Sequence, residues 1–244
     1  VLAWLDSGGR ADATYERSGV SGLTLLMGAA MHGHERVVEL LLRRGAELNP
    51  QDAAWPALEA AAQGGKERVV DLLIRRGAEV NLQSSNGRTA LMFAAGQGHE
   101  RVVELLLQRG AEINLQHSIG VTALIVAADY GQPAVVRLLL RAGADASART
   151  DKGKKALQYA KDQGHAECVR ALEEHAAAEA AAKEAAQAAA REAGRAAAEA
   201  EATRHAEALL AGEEAEKEAG ERVKENKKWK KKKKKGKGGA GGAG

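Results

Sequence analysis

Residues 98–110 read GHERVVELLLQRG. A glycine stands at each end, and between them Val and Leu cover most of the circumference of a helix. A helix that is apolar nearly all round must be covered by its neighbours, so this segment is predicted to be a short, largely buried helix. Gly110 follows at the position where a left-handed residue closes the last turn, a conformation that glycine adopts without steric cost.

The pattern returns along the chain at a fixed spacing. Its first glycine recurs as Gly33, Gly65, Gly98, Gly131 and Gly164, and its second as Gly45, Gly77, Gly110 and Gly143. Both series contain one step of 32 residues among steps of 33, so two independent markers share one period. A fixed period of this length is typical of solenoid proteins, in which each unit packs against its neighbours.

A second, smaller element precedes the buried helix in each unit. In residues 89–95, TALMFAA, the threonine is suited to cap a helix, and the paired alanines let a neighbouring helix approach closely. Each unit is therefore predicted to consist of two antiparallel helices and a loop. An aromatic content of only 3% agrees with a thin core built from Ala, Val and Leu. Neither helix hides its apolar face alone, so successive units must stack.

These units resemble ankyrin repeats, whose pattern runs G-x-T-P-L-H-x-A-A, then G-H, then V-V-x-L-L-L and G-A-x-V-N. Residues 87–114 follow it closely, and the match recurs five times over residues 14–175. The resemblance implies an all-α ankyrin-repeat solenoid of paired antiparallel helices with finger loops. It also implies a protein–protein interaction module, a scaffold or adaptor that binds a partner rather than catalysing a reaction.

The repeats depart from the family pattern at identifiable positions. The histidine of T-P-L-H becomes Met27, Glu59, Met92, Ile125 and Gln158 in the five repeats. The second repeat is one residue shorter between Asn49 and Ala54, which shortens its finger loop. In the fifth repeat Lys155, Lys161 and Glu173 replace Thr, Ala and Leu, as the polar outer face of a terminal repeat requires.

The chain is predicted to contain four regions. Residues 1–13 resemble the close of a truncated upstream repeat, so we expect at least one more repeat before them. Residues 14–175 form the five-repeat domain, residues 176–226 an Ala/Glu-rich helical spacer, and residues 227–244 a disordered Lys/Gly-rich tail. The spacer lacks an apolar seam at heptad spacing, which favours a solvated single helix over a coiled coil.

The sequence contains no catalytic constellation, and we expect no enzyme activity, cofactor, metal site or small-molecule substrate. His34 and His99 begin segments like the zinc-protease motif H-E-x-x-H, but Val stands at the fifth position of both. Cys168, the single cysteine, stands where an earlier repeat has a buried Val, and core packing explains it. With no internal disulfide and no membrane-spanning apolar run, we expect a soluble, cytoplasmic or nuclear monomer.

By resemblance, the repeats bind a partner on a concave face, formed by the finger tips and the exposed side of the first helices. The residues at these positions are Leu23, Met31, His32, Trp55, Arg88, Gln97, Ile119, Val121, Asp129 and Tyr130. Trp55, Ile119 and Tyr130 among them are large and apolar, and aromatic anchors dominate most interfaces. We therefore expect a protein partner here; the alternative is an ordinary surface.

The net charge of +3 divides unevenly along the chain, because nine lysines near the end leave the remainder at −6. A polyanion, either nucleic acid or an anionic membrane, should meet this tail first while the solenoid carries a separate partner. The predicted polyanion-binding residues are Lys227, Lys228, Trp229, Lys230, Lys231, Lys232, Lys233, Lys234, Lys235 and Lys237. The alternatives are a nuclear-import signal and an end that only keeps the protein soluble.

Overall fold

The computed structural model describes residues 7–17, 20–49 and 55–235. Strands β1 (Thr14–Arg17) and β2 (Val20–Thr24) form an antiparallel hairpin. Ten helices follow in the described residues: α1 (Leu25–His32), α2 (Glu35–Arg43), α3 (Ala57–Gln63), α4 (Glu67–Arg75), α5 (Ala90–Gln97), α6 (Glu100–Gln108), α7 (Ala123–Asp129), α8 (Pro133–Arg141), α9 (Ala156–Asp162) and α10 (Ala166–Lys235). The predicted all-α repeat solenoid is confirmed.

The helices pack in two rows. The first helices of successive repeats, α1, α3, α5, α7 and α9, pack against one another in that order. The second helices α2, α4, α6 and α8 do the same, and in each of the first four repeats the first helix packs against the second. Each helix pair is thus covered by the next, as the apolar circumference of the second helix requires.

The first helices begin where threonine caps them. The hydroxyl oxygens of Thr24, Thr89 and Thr122 accept hydrogen bonds from the backbone N–H three residues later, at 3.2–3.4 Å. Pro56 and Lys155 occupy the same position in the second and fifth repeats, and neither side chain makes such a bond. The threonine caps predicted from the sequence are confirmed at these three repeats.

The core is built from small and branched side chains. Two layers of fully buried residues run through the second helices: Val38, Val70, Val103 and Val136 in one, and Leu41, Leu73, Leu106 and Leu139 in the other. The paired alanines of the first helices are buried beside them. Cys168 is buried in the same core, as predicted, and this burial raises the pKa of its thiol.

Hydrogen bonds join each repeat to the one before it. The imidazole nitrogens Nε2 of His99 and His165 lie 2.9 and 3.0 Å from the carbonyl oxygens of Gln63 and Asp129, at the end of the preceding first helix. Gln132 takes the same place in the fourth repeat and donates to the Gly96 carbonyl. His99 and His165 therefore have a structural role between repeats, as the recurrence of the repeat predicts.

Asparagines also join successive repeats, at the loops that follow the second helices. Asn81 donates to the Gly110 carbonyl at 3.1 Å and accepts from the Glu112 N–H at 2.8 Å. Asn49 makes the equivalent two bonds to the second repeat, donating to the Gly77 carbonyl and accepting from the Glu79 N–H. Each asparagine thus satisfies two backbone groups that a loop leaves open.

Three features differ from the sequence prediction. The first finger loop contains the β1–β2 hairpin, whose pairing the helical periodicity does not reveal. Helix α10 begins within the fifth repeat, and the chain divides into a unit ending at Glu179 and a second beginning at Ala180, not at residue 176. Residues 227–235, predicted to be disordered, are helical, because lysine is a good helix former and cations near a helix C-terminus interact favourably with its dipole.

Several predictions fall on residues that the structure does not describe. The upstream repeat is represented only by residues 7–13, where Ala11 joins the core. The shortened finger loop of the second repeat, residues 50–54, and the end of the tail, residues 236–244, lie outside the described residues. In the second unit, every described side chain between residues 180 and 232 is exposed.

Replacing Asn81 with Ala should lower the free energy of unfolding by about 1 to 2 kcal/mol, because two hydrogen bonds between repeats are lost. Urea denaturation followed by circular dichroism measures this. Asn226→Ala, a change on the exposed surface of α10, is the matched control and should leave the unfolding free energy unchanged. Equal values for the two variants would show that the asparagine bridges contribute nothing measurable.

Candidate functional site

Two grooves open on the face formed by the first helices and finger tips. The downstream groove, between the third and fourth repeats, has a volume of about 260 Å³. Six of the predicted partner-binding residues line it: Arg88, Gln97, Ile119, Val121, Asp129 and Tyr130. The upstream groove, of about 510 Å³, is lined by the other four, Leu23, Met31, His32 and Trp55. The ten residues thus divide into two sets.

An aromatic pair joins the two grooves. The Trp55 ring, in the wall of the upstream groove, lies 5.7 Å between centroids from the Phe93 ring of the downstream groove. Trp55 is half-buried, and the plane of its ring is tilted by 43° from that of Phe93. Its indole nitrogen is buried and has no hydrogen-bond partner within the described residues.

The downstream groove exposes large apolar side chains. Tyr130 is 61% exposed and Ile119 is 48% exposed, one at the end of α7 and the other on the fourth finger tip. Gly96 also lines the groove, and a Cβ there would stand 2.8 Å from the Val126 side chain. Glycine therefore keeps α5 and α7 in close contact at the groove.

Glu59 is a buried carboxylic acid beneath this face. Its side chain is only 1% exposed, on α3, where the neighbouring repeats have Met27 and Met92. One oxygen, Oε1, accepts from the Ser84 N–H at 3.2 Å, while Oε2 has no partner among the described residues. Burial raises the pKa of Glu59 to about 8, although the Ser84 hydrogen bonds and the Arg88 charge oppose the rise. The group is therefore mostly neutral at pH 7.

The finger end of the downstream groove carries the positive charge of Arg88. Its guanidinium carbon lies 5.6 Å from the centroid of the Phe93 ring, a cation–π contact. The pKa of the neighbouring His117 is lowered, first by burial and then by Arg88, so this imidazole is neutral at pH 7. At the other end of the groove, the Asp129 carboxylate accepts a hydrogen bond from the Gln163 amide at 2.9 Å.

Sequence reasoning missed Phe93, Glu59 and Gln63. Phe93 occupies the variable position of the first helix, which is Gly28 in the first repeat and Val126 in the fourth, and this variation within the chain is a signal that would have found it. Glu59 could have been found as the one acidic residue at its repeat position. Nothing in the sequence marks Gln63, whose amide oxygen is buried without a partner in the described residues.

The predicted polyanion-binding residues other than Lys237 lie on α10. Lys227, Lys228 and Lys230–Lys232 are exposed, and Trp229 is 58% exposed. The backbone of Lys233–Lys235 is helical, and Lys237 lies outside the described residues. Among the described residues, no three His, Cys, Asp or Glu side chains come together in a metal-binding group, and no helix is both long and apolar enough to span a membrane.

The stacked helix pairs define a repeat solenoid, and comparison with known families identifies its kind. A family model of ankyrin repeats in three copies matches residues 58–150 and 126–219, and a single ankyrin-repeat model matches residues 21–53. These ranges cover more than half of the sequence, and the chain belongs to the ankyrin-repeat family. Ankyrin repeats are generally protein–protein interaction modules, and proteins built from them are typically non-enzymatic binding scaffolds. A search of curated proteins found no significant match.

The stability of the solenoid should decrease as the pH rises, because folded Glu59 holds its proton up to about pH 8 while the unfolded chain releases it near 4.5. Stabilisation by the neutral acid is complete below pH 4.5 and is lost as the pH passes 8. Between pH 5 and 9, wild type should lose on the order of 4 kcal/mol of unfolding free energy relative to Glu59→Gln, which cannot ionise.

Chemical denaturation at each pH measures the difference. Glu104→Gln, a change at an exposed position of α6, is the control and should follow the wild-type curve. Parallel curves for wild type and Glu59→Gln would contradict a buried, protonated Glu59.

Proposed function

We propose that the face formed by the finger tips and first helices binds a protein partner, with the downstream groove at its centre. The observation that carries this is the exposure of Tyr130 and Ile119 beside a groove that already exists in the unbound chain. Large apolar side chains left open at a concave site are typical of interfaces, and tyrosine is enriched among the residues that dominate binding energy.

The surroundings of the groove support this assignment. Phe93 forms a fixed wall because Trp55 packs on one side of it and Arg88 covers it on another. A wall that is held in place before binding loses little side-chain entropy when a partner arrives. The groove also combines an apolar surface with a few polar groups at its rim, which is the usual composition of a specific binding site.

A second function is proposed for the end of α10. The helix continues through Lys235, so residues 227–235 place eight lysines along about 13 Å of helix. A polyanion relieves the mutual repulsion of these charges, whether it is nucleic acid or an anionic membrane. This region would tether the protein to a charged surface while the solenoid binds its own partner.

A double variant, Ile119→Ala with Tyr130→Ala, should fold normally and lose most of the partners that wild type retains in affinity purification, because it removes the exposed anchors of the groove. Trp55 is left intact, since its removal would unpack Phe93. Leu209→Ala with Leu210→Ala removes two side chains that are 59% and 62% exposed and serves as the matched control. If the groove variant retains the wild-type set of partners, the proposed face is wrong.

The chain ending at Asn226 should lose binding to single-stranded RNA, duplex DNA and phosphatidylserine vesicles that the full chain retains at low salt. Binding by the full chain should weaken steeply between about 50 and 200 mM salt, because lysines release counterions from the polyanion. Fluorescence anisotropy and vesicle sedimentation measure these affinities. Equal binding by both chains, or none by either, would rule out the tail as a tether.

A further inference from the structure

The wall of the downstream groove forms an apolar slot. Phe93 on α5, Val126 on α7 and Tyr130 at the end of α7 line it, and the Val126 side chain packs directly against Gly96. The slot has space for an apolar side chain from a partner, but its apolar atoms do not discriminate between charged partners. Selectivity for the charge of a partner would come from the charged groups at the finger end of the groove.

Arg88 differs from other arginines that lie between repeats. Arg76 pairs with Glu39 at 2.7 Å, and Arg109 pairs with Asp71 at 2.6 Å. Within the part of the chain that the structure describes, no carboxylate oxygen comes within 4.0 Å of Arg88, which is exposed and lies over the Phe93 ring. Its guanidinium is therefore oriented at the groove, with donors left for an incoming carboxylate.

Glu59 is close enough to interact with Arg88 but does not neutralise it. The carboxyl is buried and mostly protonated at pH 7, so it contributes little negative charge. Among the helices packed against α3, α5 has no titratable residue and α1 has only His32. The charged residues of α4 are Glu67, Arg68, Asp71 and Arg75, of which Arg68, Asp71 and Arg75 are in ion pairs. Arg88 is thus the charged group whose field acts on the Glu59 carboxyl. Among the described residues, the finger end of the groove thus carries one positive charge, that of Arg88, with no carboxylate within 4.0 Å of it.

We propose that the downstream groove recognises a peptide segment that presents an apolar side chain and, a few residues away, a carboxylate. The apolar side chain enters the slot between Phe93 and Tyr130, and the carboxylate pairs with Arg88. A lysine at the same place in the peptide is repelled. The inference rests on the proposed function, because it names the chemistry of the partner that this face binds.

The buried acid gives this recognition a distinctive dependence on pH. When the pH rises from 7 to 9, Glu59 ionises and places a negative charge near Arg88. The attraction of Arg88 for a peptide carboxylate then weakens, while His117 stays neutral throughout because the pKa of its imidazole is lowered. Glu59→Gln carries no such charge and should keep the attraction at both pH values.

The experiment uses synthetic nine-residue Gly/Ser peptides, each with one central Leu and one Asp, Asn or Lys at a varied distance from it. Fluorescence anisotropy with the full chain at low salt measures their affinities. At the best spacing, the Asp peptide should bind roughly three- to tenfold more tightly than its Asn counterpart, and the Lys peptide more weakly still. Arg88→Gln should abolish this difference. Arg101→Gln, at an exposed position on α6, is the control and should preserve it.

The outcomes separate this inference from the proposed function. Equal affinities for the Asp, Asn and Lys peptides, a preference for Asp that survives Arg88→Gln, or no binding of any peptide would overturn the inference. A preference that is the same at pH 7 and pH 9 in wild type would contradict the role given to Glu59. If the Ile119 and Tyr130 double variant still loses its partners in those cases, the binding face stands and only its proposed charge selectivity fails.

Discussion

The packing of each helix pair against the next is the contact on which the rest of the structure depends. The second helices are apolar around most of their circumference, and no single pair has enough surface to cover them. Stacking buries a continuous layer such as Val70, Val103 and Val136, with no exposure at any of these positions. The backbone groups left open at the loops are then satisfied between repeats, by His99 on one side and Asn81 on the other. Stability is therefore a property of junctions more than of individual repeats.

The junction between the second and third repeats differs from the others, and this difference lies beneath the candidate site. The first repeat places Met27, and the third Met92, where the second places Glu59. A buried acid, one of whose oxygens has no partner among the described residues, costs stability that an apolar side chain would not cost. The same junction contains Trp55 and Gln63, which also have buried polar atoms without a partner in the described residues. Several buried polar groups that lower stability, gathered at one junction of an otherwise regular solenoid, are typical of functional sites.

The electrostatics of the proposed binding face follow from this burial. Neighbouring arginines that join the second helices are neutralised by acidic partners one repeat away. Arg88 lies near an acid that burial keeps mostly protonated at pH 7, and its guanidinium lies over an aromatic ring with no carboxylate partner in the described part of the chain. A regular scaffold thus presents one oriented charge beside an apolar slot, and the second unit of the chain carries a separate, far denser positive charge on α10.

The sequence by itself determined the number of repeats, the order of their helices, the threonine caps and the buried Val and Leu layers, because these depend on local periodicity that repeats along the chain. It also assigned ten residues to the finger tips and first helices, since repeat position decides which face a residue occupies, whereas the structure divides them between two grooves. Only the tertiary structure decided that Trp55 packs against Phe93, that Glu59 is buried beside Ser84 and that Arg88 has no nearby carboxylate partner among the described residues. The contacts of Trp55 and Glu59 join residues more than 20 positions apart, in different repeats. The sequence period shows which residues occupy equivalent positions, but it does not determine which side chains come into contact.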